Sequence, residues 1–416
     1  MTAQEPDRNF FLLLSGQMVS VFGSSVYLVV VILYLKELTG GAAALGIFQF
    51  VAYLPIVLLS PVGGVAADSM SRKSILVSTD LIRGLMMMVL GVLVFAGKLN
   101  YPILLIGTFC ISLCTAFFHP AVHSFFPEIV PPSTLRRKNS VKSAGLLGSN
   151  ITGSTLGGIL YSSLGPGAVF LFNGLTFIAS AVEESFIKSP CLSPPNRDAA
   201  GSVYRRFNDL IREVGAYLRE ERGISTVLLT YGLVNSLYPP VILSLPFLLE
   251  ERYGLGPGYF GLALSLLLAG GGCGALLYGF IDRGRKANGR LFFSSLCLLA
   301  FLLISAGILD SPIVLFLVLP PAGGSIGLVH QIMTTSLYQI VRPRARGRIF
   351  GIMESLASFA VPLSYAAGGM IIQLMQSRLE LFYLGIGAVI LAGTGILSFG
   401  TRIGSFLTRP ESLSSS

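Results

Sequence analysis

The sequence predicts an all-α membrane protein of about twelve transmembrane helices in two six-helix bundles. Three observations carry that expectation. Of 416 residues, 53% are hydrophobic and only 12% are charged, with a mean hydropathy of +0.75; soluble domains carry about 25% charged residues. Apolar runs of about 20 residues, the length that crosses a bilayer, recur along the whole chain between short polar breaks. Lys and Arg fall almost entirely on one side of the topology those runs define.

In order, the first six spans are read at 10–35, 45–66, 75–97, 101–126, 141–164 and 167–187. The second six are read at 224–249, 257–281, 291–309, 312–340, 348–375 and 380–401. Gly and Pro inside several of them are compatible with membrane helices, because neighbouring helices satisfy the freed backbone groups. The opening MTAQEPDRN lacks the basic start and cleavage motif of a signal peptide, so the first run is expected to be a retained helix. Trp is absent, which leaves interfacial anchoring to Tyr, Lys and Arg.

With the N-terminus placed in the cytoplasm, the outside segments hold only Lys36, Lys98, Arg252 and Arg378 of the 29 basic residues. The other 25 lie inside, as the positive-inside rule requires. The net charge of +9 is thereby explained without nucleic acid, and both termini are expected in the cytoplasm of a plasma (bacterial inner) membrane.

The expected domains are a bundle at 1–187, a cytoplasmic linker at 188–223 and a second bundle at 224–416. The linker opens on SPCLSPPNRDAAGS and continues with Val203, Phe207, Leu210, Ile211, Val214 and Leu218 at helical spacing, an amphipathic pattern expected to lie along the membrane surface. The halves echo each other. Asp68, Arg72 and Lys73 follow the second span; Asp282, Arg283, Arg285 and Lys286 follow the eighth. Gly157-Gly158 and Gly368-Gly369 occupy matching helices. Two six-helix repeats around a midplane site are a known transporter plan.

Other classes are disfavoured. The five cysteines lie mostly in apolar runs and read as small buried hydrophobes. No Cys/His spacing suits a metal, no phosphate-binding Gly-Lys-Ser/Thr loop is present, and His-Glu-x-x-His does not occur. The chain is therefore not read as an enzyme, and no cofactor is expected.

The stretch Gly64-Val65-Ala66-Ala67-Asp68-Ser69-Met70-Ser71-Arg72-Lys73, followed by Asp80 and Arg83, resembles the cytoplasmic signature of the major facilitator superfamily. Gln17–Gly23, Phe117–Pro131 with Asn139-Ser140, and Ala345–Leu363 resemble the drug:proton antiporter branch that includes macrolide-efflux and enterobactin-exporter proteins. The resemblance covers most of the chain. It implies the major facilitator fold, alternating access and proton-coupled efflux of a small amphipathic or hydrophobic molecule such as a drug, siderophore or natural product. Lipid or lysolipid flipping, or uptake, is the alternative within the same fold. The implied partners are small-molecule substrate, protons and membrane lipid, with the protein a monomer. In the fifth helix, Ser149 and Ser154 stand where the family's antiporter pattern has Gly and Pro.

Candidate site residues follow. Gly64, Asp68, Arg72, Lys73, Asp80 and Arg83 are read as a conformational latch. In it Asp68 meets the positive end of the eleventh helix, Arg72 pairs with a carboxylate across the loop, and Gly64 lets two helices approach. Plain topology, basic loops staying inside, is the competing reading. Ionisable residues within spans are costly and usually functional. Glu354, about two turns into the eleventh helix, and His119 and His123, four apart on one face, are candidates for proton coupling; ion pairing and structural hydrogen bonds compete. Gln17, Asn150, Tyr231, Asn235, Tyr238, His330 and Gln331 are candidates for the substrate cavity, although polar residues also hold helices together. Glu183 and Glu184, near Lys188, are read as interfacial.

Overall fold

The computed structural model describes residues 5–188, 212, 215, 222–280, 286–340 and 358–400. Glu354, the beginning of the eleventh span and nearly all of the expected linker lie outside them. Among the described residues every regular element is helical. The first four helices are α1 (Glu5–Thr39), α2 (Ala42–Ser69), α3 (Arg72–Phe95) and α4 (Tyr101–Ile129). Ser71 caps α3 by accepting from Ser74 N, and Asn100 caps α4 by accepting from Ile103 N.

Helix then runs for 54 residues, Pro132–Ser185. At 1.5 Å per residue this is roughly 80 Å, more than twice a bilayer core. Gly165 resolves the excess. Its φ of 74° and ψ of 168° turn the chain back, a conformation that a side chain would oppose, and Pro166 starts the next helix. The two arms are α5 (132–164) and α6 (166–185).

The second half comprises α7 (Arg222–Asn235), α8 (Tyr238–Phe247) with a π turn at Leu248–Arg252, α9 (Pro257–Phe280), α10 (Lys286–Leu309) and α11 (Pro312–Ile340). It ends in α12 (Ala360–Met375), a 3-10 turn and α13 (Leu379–Gly400). The seventh span, expected as one helix, is broken at Ser236–Leu237. Pro239 and Pro240 lack the N–H groups that would continue the ladder. Ser364 Oγ of α12 donates to the freed Ser236 carbonyl. Ten described runs are long and apolar enough to cross a bilayer. Two of these, 132–185 and 360–398, each hold two helices, which gives the twelve expected crossings.

α3 shows which solvent the chain is built for. Thr79, Asp80, Arg83 and Gly84 lie on its buried face, while Leu81, Leu85, Val89, Val92 and Phe95 are exposed. The outward face is the more apolar one, as a bilayer demands.

The described residues fall into two units. Unit 1 lies within Met1–Gly40, Phe48–Asp209 and Pro257–Leu262; unit 2 within Gly41–Ile47, Leu210–Gly256 and Ala263–Ser416. In unit 1, α6 packs on α3 where Gly84 meets Gly174 and Ile178, and on α1 where Gly23 meets Asn173 and Thr176. In unit 2, Gly270 and Gly274 of α9 lie against the backbone of Pro320 and Gly324 of α11. Small residues let backbones approach where no water is available to drive association. The units differ from the halves read in the sequence at two short segments. Gly46 packs on Tyr365 and Gly369 within unit 2, and Gly158 on Pro257 and Gly258 within unit 1.

Candidate functional site

Three groups of polar side chains are built on unit 1. The first sits where α2 ends and α3 begins. Arg72 forms an ion pair with Glu128 near the end of α4, reaches Asp68 Oδ1 at 3.4 Å and donates from Nε to the Ala67 carbonyl at 3.1 Å. Glu128 is largely buried, whereas Asp68 is 64% exposed. The carboxylate across the loop from Arg72 is thus Glu128. A close approach of helices is found at the neighbouring Gly63, while the start of the eleventh helix lies outside the described residues. A Cβ at Gly64 meets no described atom within 4 Å, whereas one at Gly63 overlaps the Ala116 carbonyl and comes within 3.1 Å of Phe117 Cα. Lys73 is half-buried beside this junction.

The second group is a cavity of roughly 520 Å³ among α1, α4 and α5. Its apolar lining includes Val21, Phe118, Val122, Phe126, Leu135 and Leu146. Its polar lining comprises Gln17, Ser20, His119, His123, Arg136, Asn139, Lys142 and Ser143. Pro120 and Pro127 interrupt the α4 ladder beside both histidines. Lys142 Nζ sits 4.7 Å from the Phe126 ring centre, a cation–π contact. Among the described residues no carboxylate lines this cavity. Asn150, a cavity candidate, is half-buried; it accepts from Ser25 Oγ at 2.7 Å and donates to the Leu146 carbonyl, joining α5 to α1.

The third group was hidden from sequence reading. Asp80 and Arg83, grouped there with the loop latch, lie about two and three turns along α3, about 12 Å and about 17 Å from Arg72 by helical rise. Both are buried and paired to each other. The Arg83 guanidinium is stacked between two rings, 4.1 Å from the Phe118 centre and 4.6 Å from that of Phe177. Glu184 of α6 stands within electrostatic reach of both Asp80 and Arg83. It is 0% exposed, which corrects the interfacial reading: α6 is enclosed by α1 and α3 at this level. Its neighbour Glu183 turns to α1 and accepts from Ser15 Oγ. The available signal was the i, i+3 spacing of Asp80 and Arg83 inside a span, which calls for a buried partner.

Unit 2 holds the remaining candidates. Tyr231 Oη lies 2.7 Å from His330 Nε2 and 3.4 Å from Thr334 Oγ1, which links α7 to α11. Asn235 and Gln331 are half-buried. Tyr238 faces a void of about 20 Å³ among leucines and Tyr383, room for a single water. At the opposite helix ends Arg252 grips Asp310 with two bonds of 2.6 Å and Glu380 with one of 2.7 Å. Those bonds hold the Asp310 carboxyl below its usual range. Burial, and then the Asp310 charge, push the Tyr253 phenol up to about 12.

Residues 13–365 match the Major Facilitator Superfamily profile. The chain is 26% identical over 356 residues to macrolide efflux protein A of Streptococcus pyogenes, covering 85% of this chain and 87% of that one. It is 25% identical over 403 residues to the uncharacterized MFS-type transporter YkuC of Bacillus subtilis, covering 92% and 89%. Among solved structures, a bacterial homologue of the human lysosomal transporter Spinster, in an inward-facing and occupied conformation, superposes with a TM-score of 0.72 at 15% identity over 98% of this chain and 97% of that one. Apolar helices long enough to cross a bilayer recurring among the described residues, the Asp68–Arg72 signature at the junction of α2 and α3, and a profile match over most of its length establish that this chain is a multi-pass membrane protein belonging to the Major Facilitator Superfamily.

Proposed function

We propose that the protein is a secondary exporter that works by alternating access and moves a small amphipathic or hydrophobic molecule outward in exchange for protons. The observation that carries this reading is the unit 1 cavity. Its roughly 520 Å³ lies within the range of drug-sized sites, about 300–1,000 Å³. Its lining combines apolar side chains with hydrogen-bonding groups, the chemistry that an amphipathic molecule presents. The name of the streptococcal relative, a macrolide efflux protein, supports the outward direction. The crowding of basic residues into alternate loops supports cytoplasmic termini in a bacterial inner membrane.

The test is accumulation of a panel of labelled macrolides and other neutral amphiphiles in cells with and without the protein. At least one compound is expected at lower steady-state level in the expressing cells, and a protonophore is expected to abolish the difference. Equal accumulation across the panel overturns the efflux reading. A difference that survives the protonophore overturns the coupling.

A further inference from the structure

Unit 1 buries two carboxyl groups against one guanidinium, and the hydrogen bonds do not balance. Arg83 is paired to Asp80 Oδ1, yet Asp80 Oδ2 has no hydrogen-bond partner among the described residues. Neither oxygen of Glu184 has one, although Glu184 is 0% exposed. Native structures rarely leave a fully buried carboxyl without a donor unless it does something. Counting formal charges, Asp80, Arg83 and Glu184 together are neutral when one proton is bound and carry one negative charge when it is gone. A net charge enclosed by apolar rings is costly.

Position links this cluster to the cavity. Phe118 packs one face on Arg83 and also lines the cavity, and the next residue, His119, is exposed to it. We infer that Glu184, with Asp80 and Arg83, is a proton-binding site of the transporter, separated from the substrate cavity by the Phe118 ring. This rests on the coupled-efflux reading and deepens it by naming where the proton is held. The step balances simply: the Glu184 carboxylic acid gives its proton to water reaching the cluster and becomes a carboxylate, and the reverse reaction takes a proton up. A metal cation fits poorly, since Arg83 already supplies a positive charge.

The groups that face Glu184 are identifiable. From α3 they are Asp80 and Arg83, and from its own helix Glu183. Ser180 stands on the Asp80 side. From α4, Cys114 and His119 lie within reach of the Arg83 charge. α1 brings Gly16 against Ser180 and Glu183, and Ser15 binds Glu183.

The test is infrared titration of the full-length protein in lipid, following the carbonyl stretch of protonated carboxyl groups from about pH 5 to about pH 9. The wild type is expected to show a band that loses intensity as pH rises, and Glu184→Gln is expected to lack it. No titrating band, or the same band persisting in Glu184→Gln, overturns the assignment. So does a band that responds to sodium and not to pH. If Glu184→Gln fails to fold, Glu184→Asp keeps a carboxyl in the site and must shift the band; an unshifted band overturns it equally. Proton movement driven by a macrolide gradient in wild-type proteoliposomes separates the two readings. Its absence beside a titrating band removes the coupled exporter and leaves the proton site. Its presence in Glu184→Gln at wild-type level removes the site and leaves the exporter.

Discussion

Arg72 is held by an ion pair, a second carboxylate and a backbone carbonyl at once, and these acceptors are not equal. Glu128 is largely buried and Asp68 largely exposed. Exposed pairs contribute about 0–1 kcal/mol, whereas charged hydrogen bonds with a buried partner contribute about 1.5–3 kcal/mol. Glu128→Gln is therefore expected to lower the initial transport rate several-fold, with a smaller loss in Asp68→Asn and normal membrane insertion in both. Rates in vesicles, normalised to inserted protein, measure this; the reverse order contradicts the weighting. The signature loop could be read from sequence because its spacing is local. Glu128 could not, because only the antiparallel packing of α4 brings it to Arg72. Glu184 was misread for the same reason: beside Lys188 at a span end it looks interfacial, and only enclosure by α1 and α3 reveals otherwise.

At the scale of elements, the glycines of α9 and α11 form a backbone crossing. A Cβ at Gly274 overlaps the Gly324 carbonyl, whereas one at Gly279 meets no described atom within 4 Å. Gly274→Val is expected to destabilise the protein by about 1–3 kcal/mol through overpacking, and Gly279→Val by less than about 0.5 kcal/mol. Thermal unfolding in detergent distinguishes them, and equal shifts contradict the crossing. The ends of α10 and α13 and the turn after α8 meet through Arg252, Asp310 and Glu380. The folded Asp310 carboxyl titrates below its unfolded value, so its contribution is present above about pH 4 and fades as pH falls through the folded value. Asp310 is 43% exposed, so the contribution is at most about 1 kcal/mol. The unfolding temperatures of wild type and Asp310→Asn are expected to differ at neutral pH and to converge below about pH 4. A gap that persists at acid pH contradicts the ion pair. Span positions were legible from hydropathy, and the α5/α6 break from Gly165-Pro166. The split of the seventh span was missed. Prolines are common in membrane helices, and only the Ser364 contact shows where the freed carbonyl goes.

For the whole molecule, composition and the recurrence of apolar runs made the membrane class legible, because the bilayer constrains every span in the same way. Cavity lining was less legible. Gln17, His119 and His123 reach the unit 1 cavity, while Asn150 is drawn into a contact between α1 and α5. Helical spacing assigns a face, but which face meets a cavity depends on the partner helix.

The central claim, outward transport driven by protons, is tested most directly in inside-out membrane vesicles acidified within. The probe is the panel compound most strongly excluded from expressing cells. Uptake into the lumen against the compound's own gradient, collapsing when nigericin dissipates the pH difference, is the expected result. Uptake no greater than in vesicles lacking the protein, or uptake indifferent to the loss of the pH difference, contradicts the account.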